Sequence, residues 1–216
     1  MHIDDVWVTG TPRNDYLVKP NSELLSAHKY LNKKIILYAP TWREYGNRSS
    51  FFPFDDKNLN DLNEYLESKD AYLLLRGHRE EMERISSNYG EEHFSRILPA
   101  HQKIFPDAQQ LLVHVDVLVT DYSSIYLDFL LVDKPIVFLP YDLKEYQSYR
   151  GFLFDYNSYT PGDKVFTQSE FIASLTISLN NPSVMSDERK RVRDLFHTHQ
   201  NGDSSKRILA QIFKLN

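Results

Sequence analysis

Residues 115–124 read VDVLVTDYSS, an apolar run that changes within a few positions to hydroxyl and acidic side chains. The first half predicts a strand buried on both faces of a parallel sheet, and the second half predicts the start of a helix. The first turn of a helix has free N–H groups and the positive end of the helix dipole, so it favours a bound phosphate. Ser123 and Ser124 add hydroxyl groups there, and together with Thr120 and Asp121 at the junction they are the candidate phosphate-binding residues of this segment. An ordinary helix cap, for which Asp and Ser are also preferred, is the alternative interpretation.

Short apolar runs alternate with helical patterns along the rest of the chain. Strands are predicted at 6–8, 35–38, 72–75, 95–98, 115–119 and 135–138. Helices are predicted at 21–31, 57–68, 80–89, 107–113 and 123–132, and in a tail at 169–215 with breaks near 181–182 and 202. This alternation predicts an α/β fold, a doubly wound, Rossmann-like parallel sheet with a helical C-terminal tail. The predicted organisation is a leading segment 1–20, a nucleotide-binding domain 21–180 and a tail 181–216 packed on that domain.

Two long irregular stretches, 41–56 and 141–164, each follow a predicted strand. Ligands of open parallel sheets bind beyond the carboxyl ends of the strands, and loops of this length are usually functional. An arginine there can pair with phosphate, a tryptophan can pack against a ring, and a glycine permits close approach of the backbone. The alternatives are a buried tryptophan beside an exposed arginine in the first stretch and a plain turn in the second. The candidate donor-binding residues in these stretches are Thr41, Trp42, Arg43, Arg150 and Gly151.

A third polar segment, LRGHR at 75–79, follows the predicted strand 72–75. His78 would lie at the carboxyl end of that strand, with Arg76 beside it as a further candidate for binding the donor phosphate. A histidine in this place can donate a hydrogen bond to a phosphate oxygen or protonate a leaving group. A solvent-exposed loop histidine between arginines is the alternative.

The composition excludes several classes of protein and site. The chain of 216 residues has a net charge of −5 and no cysteine, which argues against a general nucleic-acid binder and excludes disulfides and thiolate metal sites. The sequence contains no histidine pair with metal-ligand spacing on one helix face and no Gly-x-Ser-x-Gly elbow, so no metal site and no serine hydrolase are predicted. Its polar start and the lack of a long apolar stretch predict a cytoplasmic protein, with attachment to the inner face of the cell membrane left open.

Seven segments, in this order, resemble the CDP-glycerol glycerophosphotransferase family, the polymerases and primases of teichoic-acid synthesis. Each segment alone is weak, but the ordered set, including TDYSS followed by RGF, is specific. The resemblance runs from about residue 6 into the C-terminal tail. The segments are GTPRND at 10–15, APTWR at 39–43, LRGH at 75–78, DVLVTDYSS at 116–124, YDL at 141–143, RGF at 150–152 and PG at 161–162.

The resemblance implies the C-terminal, donor-binding half of a GT-B architecture, in which residues 1–20 are the crossover from an N-terminal domain that this sequence lacks. It also implies a CDP-glycerol or related CDP-polyol donor, a polyol-phosphate or lipid-linked acceptor, and no cofactor. A hydroxyl group of the acceptor would attack the phosphorus that bears the polyol, and CMP would leave. His78 would bind the phosphate or act as general acid, whereas the general base would lie in the other half. The expectation is weak donor binding and little transfer by this chain alone.

Two other functions stay open on the sequence. GT-B transferases and 2-epimerases that use UDP-sugars place their nucleotide on the same half, so base selectivity would separate them from a cytidine enzyme. A non-catalytic nucleotide-binding module is the third hypothesis. Retention of His78, Ser123, Ser124 and Arg150 argues against decay of the donor site. The choice between glycerol and ribitol is also open.

Overall fold

The computed structural model describes residues 6–20, 32–43 and 51–213. Short 3-10 turns lie at Pro12–Asn14 and Arg79–Glu81. The strands of this part are β1 (Lys34–Tyr38), β2 (Ala71–Leu75), β3 (Ile97–Pro99), β4 (Val117–Thr120), β5 (Ile136–Phe138) and β6 (Asp163–Lys164). Its helices are α1 (Asp15–Val18), α2 (Leu59–Ser68), α3 (Met82–Asn88), α4 (Ala108–Leu112), α5 (Ile125–Phe129), α6 (Leu143–Tyr149), α7 (Tyr156–Tyr159), α8 (Gln168–Asn180), α9 (Ser186–Phe196) and α10 (Ser204–Phe213).

The strands form one parallel sheet in the order β3-β2-β1-β4-β5-β6. The central strand β1 pairs with β2 on one side and with β4 on the other, so the direction of strand addition reverses beside it. The predicted Rossmann-like, doubly wound sheet is therefore confirmed. Because ligands of such sheets bind at the carboxyl ends next to this reversal, the segments after β1 and β4 are the first place to look for a site.

The sheet is covered on both faces, which explains why its strands are continuously apolar. Ile36 and Tyr38 of β1 belong to a core cluster with α2, α3 and α8, whereas Ile35 and Leu37 belong to a second cluster with α4, α5 and α9. All four side chains are fully buried. A strand with both of its faces in a core cannot show alternation between apolar and polar residues.

The structure corrects the predicted elements in three places. Residues 6–8 are exposed coil, so the first predicted strand is wrong, and the sixth strand is β6, a two-residue edge strand inside the stretch predicted as loop. The stretch 141–164 also contains α6 and α7. The helix predicted at 123–132 is shorter, with only Ile125–Phe129 helical. The helix predicted at 21–31 and residues 44–50 of the first long loop lie outside the described residues.

The tail forms three helices, with breaks at the positions that the sequence predicts. Phe171 and Leu175 of α8 are buried against the sheet, and Val192 of α9 is buried in the second cluster. The tail also contacts the start of the chain, because the Asp15 carboxylate accepts hydrogen bonds from the first two backbone N–H groups of α10, each at 2.8 Å. These are N–H groups that have no partner within the helix itself.

Candidate functional site

The segments after β1 and β4 are joined at the reversal point by a buried carboxylate. Asp121 is 1% exposed, and its Oδ1 atom accepts hydrogen bonds from the Thr41 backbone N–H at 2.8 Å and from the Thr41 hydroxyl at 2.6 Å. The Tyr122 N–H also donates to Oδ1. Thr120 is fully buried, and its hydroxyl donates to the Ala39 carbonyl at 2.7 Å. These contacts show that Thr41, Thr120 and Asp121 connect two segments of the protein to each other.

Arg43, which the sequence predicts as a phosphate ligand, also makes hydrogen bonds within the protein. Its guanidinium donates to both oxygens of Asp142 at 3.0 Å, to Asp121 Oδ2 at 2.9 Å and to the Thr41 carbonyl at 2.8 Å. The side chain is 9% exposed and lies over the rings of Tyr122 and Tyr146, each at 5.2 Å. Burial lowers the pKa of Arg43, but the bonds to Asp142 and the charge of Asp121 raise it by more than burial lowers it, so the net pKa is raised. Arg43 therefore stays charged and fixed between the two carboxylates.

Arg76 has a similar structural role beside β2. Its Nη1 donates to the Phe105 carbonyl at 2.9 Å, which holds the segment after β3 against the end of β2. Burial lowers the pKa of its guanidinium, although the charge of Asp107 acts in the opposite direction. Arg76 thus links the end of β2 to the segment after β3.

His78 and Trp42 meet at the same edge of the sheet, although the sequence separates them by a helix and a strand. Their ring centroids are 5.1 Å apart, His78 is exposed, and Trp42 is 38% exposed. Glu81 is buried and accepts a hydrogen bond from the His78 backbone N–H at 3.4 Å, which fixes the turn that carries the histidine. A Cβ atom on Gly77 would lie 2.6 Å from Ile85 Cδ1, so a larger residue in this turn would displace the Ile85 side chain. A histidine and an indole are therefore presented together to solvent.

Ser123 and Ser124 lie between β4 and α5. Ser124 is exposed and has helical backbone angles at the N-cap of α5, yet its side chain makes no capping hydrogen bond. The Ser123 hydroxyl accepts only a long contact of 3.5 Å from the Ile125 N–H. The ordinary-cap interpretation thus explains little of this pair, and the Ser124 hydroxyl faces solvent at the reversal point of the sheet.

Arg150 and Gly151 follow α6, an element that was predicted as loop. Both are exposed, and the Arg150 backbone N–H ends the helix by donating to the Tyr146 carbonyl at 2.8 Å. Gly151 has φ +70, and the nearest atom to an added Cβ is 3.8 Å away, so the requirement for glycine is conformational rather than steric. Tyr146 of the same helix stacks on Tyr122 at 4.2 Å, which places α6 beside the segment after β4.

Sequence reasoning missed the residues that hold this edge together. Asp142 pairs with Arg43, and Tyr156 donates its hydroxyl hydrogen to the Asp121 carbonyl at 2.9 Å. Burial raises the pKa of the Tyr122 hydroxyl, and the nearby charge of Asp142 raises it further. The signal for Asp142 was the YDL segment at 141–143, which does not say that its carboxylate pairs with Arg43.

The whole chain was compared with known families and proteins. The sequence profile of CDP-Glycerol:Poly(glycerophosphate) glycerophosphotransferase matches residues 1–214. This chain belongs to that family. It is 29% identical, over 97% of its length, to the teichoic acid poly(ribitol-phosphate) polymerase of Bacillus spizizenii. It is 32% identical, over 98% of its length, to the teichoic acid glycerol-phosphate transferase of Staphylococcus aureus.

Solved structures of the wall teichoic acid polymerase TagF share the fold of this glycerophosphotransferase-family chain. One aligns with a TM-score of 0.77 at 25% identity over 99% of this chain and 53% of TagF. A TagF variant soaked with CDPG aligns with a TM-score of 0.75 at 26% identity, over 99% of this chain and 52% of that one. The family resemblance and the fold predicted from the sequence are thereby confirmed.

The chain spans 34% of the length of the B. spizizenii polymerase and 55% of the S. aureus transferase. The activity of a complete glycerophosphotransferase is therefore not transferred to this chain by similarity alone. Within residues 6–20, 32–43 and 51–213, no three acidic or histidine side chains are grouped so that they would hold a metal ion. In the same residues, every helix is too short or too polar to cross a bilayer.

Proposed function

We propose that this chain is the donor-binding half of an enzyme that transfers glycerol phosphate, or a similar polyol phosphate, from a CDP-activated donor to a hydroxyl acceptor. The observation that carries the proposal is the meeting, at one edge of the sheet, of the four family segments that follow β1, β2, β4 and β5. His78 and Trp42 are in ring contact there, next to the reversal point where Ser124 is exposed. Nucleotides bind to Rossmann-like sheets at this place.

The residues at this edge divide into two groups with different roles. Thr41, Arg43 and Asp121 bond to one another and fix the shape of the edge. The second group, which we assign to the donor, has five exposed residues and the half-buried Ser123; the exposed residues are His78, Trp42, Ser124, Arg150 and Gly151. Its hydroxyl groups and its arginine suit a diphosphate, whose oxygens accept several hydrogen bonds and carry negative charge.

The proposed reaction gives each exposed group a task. The acceptor oxygen forms a bond to the phosphorus that bears the polyol, the bond from that phosphorus to the CMP oxygen breaks, and the proton of the acceptor hydroxyl goes to a base outside this chain. Negative charge moves onto the phosphate of the departing CMP. Donors that are already oriented toward this charge stabilise the transition state. We assign this role to His78, with Arg150 and the Ser123–Ser124 hydroxyls as further donors.

The acceptor side of the enzyme needs a surface on which to dock, and an exposed apolar face is available. Val6, Trp7 and Val8 are exposed. Their segment is held near α10, because Arg207 of that helix donates to the Thr9 carbonyl at 3.0 Å and the Nε2 atom of His199, in the preceding loop, lies 2.9 Å from the Val8 carbonyl. The apolar side chains that α10 exposes are Leu209, Ile212 and Phe213. Exposed apolar patches of this kind mark contact surfaces. We assign this face to the acceptor-side domain.

Calorimetric titration with CDP-glycerol, CMP and UDP-glucose tests the proposed donor. The cytidine compounds should bind, and UDP-glucose should bind at least tenfold more weakly. His78→Ala should lower the affinity for CDP-glycerol by about tenfold, as expected for loss of one or two hydrogen bonds to a charged group. His93→Ala is the matched control, because His93 is exposed and follows α3, away from this edge.

A transfer assay with and without an added acceptor-side domain tests the reaction. Release of CMP should require both parts and should fall in the His78→Ala variant. Preference for UDP-glucose would support the UDP-sugar alternative instead. Nucleotide binding without any CMP release in the complete mixture, and unaltered by His78→Ala, would support a binding module.

A further inference from the structure

A second buried carboxylate lies one helical turn after Ser124, outside the residues assigned to the donor. Asp128 Oδ2 accepts hydrogen bonds from Arg13 Nε at 3.1 Å, from Arg13 Nη2 at 3.0 Å and from Gln109 Nε2 at 3.1 Å. Its Oδ1 atom accepts a bond from Asn14 Nδ2 at 2.7 Å. The side chains of Asn14, Gln109 and Asp128 are all buried. Two of the donor residues, Arg13 and Asn14, belong to the GTPRND segment, to which the proposed function gives no role.

The helix that carries Asp128 cannot set its own position. α5 has five residues, and helices this short are unstable without tertiary contacts. Its N-cap residue Ser124 makes no capping bond. A further anchor is His197, whose Nε2 atom lies 2.7 Å from the Leu127 carbonyl. The position of α5 is therefore fixed by contacts with distant parts of the chain, among them the core packing of the buried Phe129 and the four hydrogen bonds to Asp128.

We infer that Asp128, held by Arg13 and Asn14, is a positioning residue for the donor site. The four bonds to its carboxylate fix α5, and α5 fixes the direction in which Ser123 and Ser124 point. This inference rests on the proposed function, because the two serines matter only if they bind the donor. The start of the chain would then control the geometry of the phosphate contacts, which the resemblance of the GTPRND segment to the family does not by itself imply.

A merely structural role for Asp128 is the competing explanation, and the chain offers a matched control for it. Asp133 lies five positions later and also pairs with a buried arginine, since Arg189 Nε donates to Asp133 Oδ1 at 3.0 Å. Ser186 of α9 donates to the same carboxylate at 2.9 Å. Asp133 precedes β5 and so lies at the opposite, amino edge of the sheet. Loss of either carboxylate should destabilise the fold, but only loss of Asp128 should reach the donor site.

The experiment compares Asp128→Asn, Arg13→Ala and Arg13→Lys with Asp133→Asn. In Asp128→Asn, one carboxylate oxygen becomes an NH2 group that faces the donors of Arg13, Asn14 or Gln109 in either orientation. Arg13→Ala is the gentler change, because the Arg13 side chain is 59% exposed and its loss leaves two donors on Asp128. Two readouts are needed: the dissociation constant for CDP-glycerol, and hydrogen exchange of the amides in α5.

Asp128→Asn should raise the dissociation constant about tenfold and Arg13→Ala about threefold, within the range found for residues coupled to a site through a network. Arg13→Lys should recover part of the loss, and Asp133→Asn should stay within about twofold of the wild type. The Tyr126 and Leu127 amides, which donate to the Ser123 and Ser124 carbonyls, should exchange faster in both Asp128 and Arg13 variants, while β1 and β4 stay protected.

Equal effects of Asp128→Asn and Asp133→Asn on affinity would overturn the inference. If Asp128→Asn does not fold, Arg13→Ala decides: unchanged affinity together with unchanged exchange in α5 contradicts a positioning role. Failure of the proposed function has a different signature, because the wild-type chain would then bind no cytidine nucleotide. The exchange measurement would still show in that case whether the start of the chain holds α5.

Discussion

Replacement of Arg43 by methionine tests whether this side chain serves the fold or the ligand. The change keeps a long apolar stem and removes the guanidinium, with its bonds to Asp121, Asp142 and the Thr41 carbonyl. Breaking a buried ion pair by removing one partner typically costs about 3–5 kcal/mol, because the remaining charge stays buried without compensation. Asp121 is 1% exposed but keeps the Thr41 and Tyr122 donors, so we expect the lower end, about 3 kcal/mol.

Urea unfolding measures this cost, with Arg191→Met as the control. Arg191 pairs with Glu188 at 2.8 Å on the surface, where both side chains are about half exposed. Exposed pairs contribute about 0–1 kcal/mol, so the control should unfold at nearly the wild-type urea concentration. Arg43→Lys should fall between the two variants, since an ammonium group does not reproduce the planar fork that bridges Asp121 and Asp142.

The same variants distinguish a structural arginine from a phosphate ligand. If Arg43 is the internal link that the contacts show, Arg43→Met lowers the free energy of unfolding far more than the control does. An unfolding free energy within about 1 kcal/mol of wild type, combined with a large loss of CDP-glycerol affinity, would refute this reasoning. That pattern would return Arg43 to the donor-binding group.

Three further changes test the packing and the tail. Gly162→Ala should cost about 3 kcal/mol in urea unfolding, because the added Cβ would lie 2.0 Å from the Ile136 carbonyl oxygen. Thr120→Val should cost about 1–2 kcal/mol, since it removes the buried bond to the Ala39 carbonyl. Burial raises the pKa of Asp15, but bonds from the α10 amides lower it more, so its net pKa is lowered. Its contribution to stability is therefore present above about pH 4 and lost as the pH falls further. Asp15→Asn should lower the melting temperature at pH 7, and between about pH 5 and 3 the melting temperature of this variant should fall less steeply with pH than that of the wild type.

The strands of the central sheet were predictable because burial on both faces produces a continuous run of apolar residues in the sequence. Five of the six predicted runs are strands, at nearly the predicted positions. The run at 6–8 has the same β-branched composition but is exposed, so composition alone could not separate a strand from a segment that borders α10. Asp163–Lys164 escaped prediction because an edge strand of two residues has no apolar run to recognise. Its place is set by pairing with β5 rather than by local preference.

The position of the site was more predictable than the role of each residue in it. Polar segments after parallel strands must meet at one edge, so the proximity of Trp42 to His78 follows from the fold. Which side chains bond to each other does not follow. Arg43 looked like a phosphate ligand because its partner Asp142 lies 99 positions away, in a stretch that gave no helical signal. Asp121 was predicted to lie at the phosphate site, with a helix cap as the alternative, and its side chain is a buried acceptor for the segment after β1.

The two buried carboxylates, Asp121 and Asp128, explain how Ser123 and Ser124 could bind a diphosphate although the helix that follows them has only five residues. Asp121 lies just before Ser123 and is bonded to the segments after β1 and, through Arg43, to Asp142. Asp128 lies one helical turn after Ser124 and accepts hydrogen bonds from Arg13 and Asn14, near the start of the chain. A backbone held at both ends has little freedom to reorient its N–H and hydroxyl groups, which reduces the ordering cost of binding. Loss of either carboxylate should therefore weaken the affinity for CDP-glycerol, whereas removal of the Ser124 hydroxyl in Ser124→Ala should weaken it without altering the free energy of unfolding. A Ser124→Ala variant that unfolds more easily but binds CDP-glycerol normally would contradict this account.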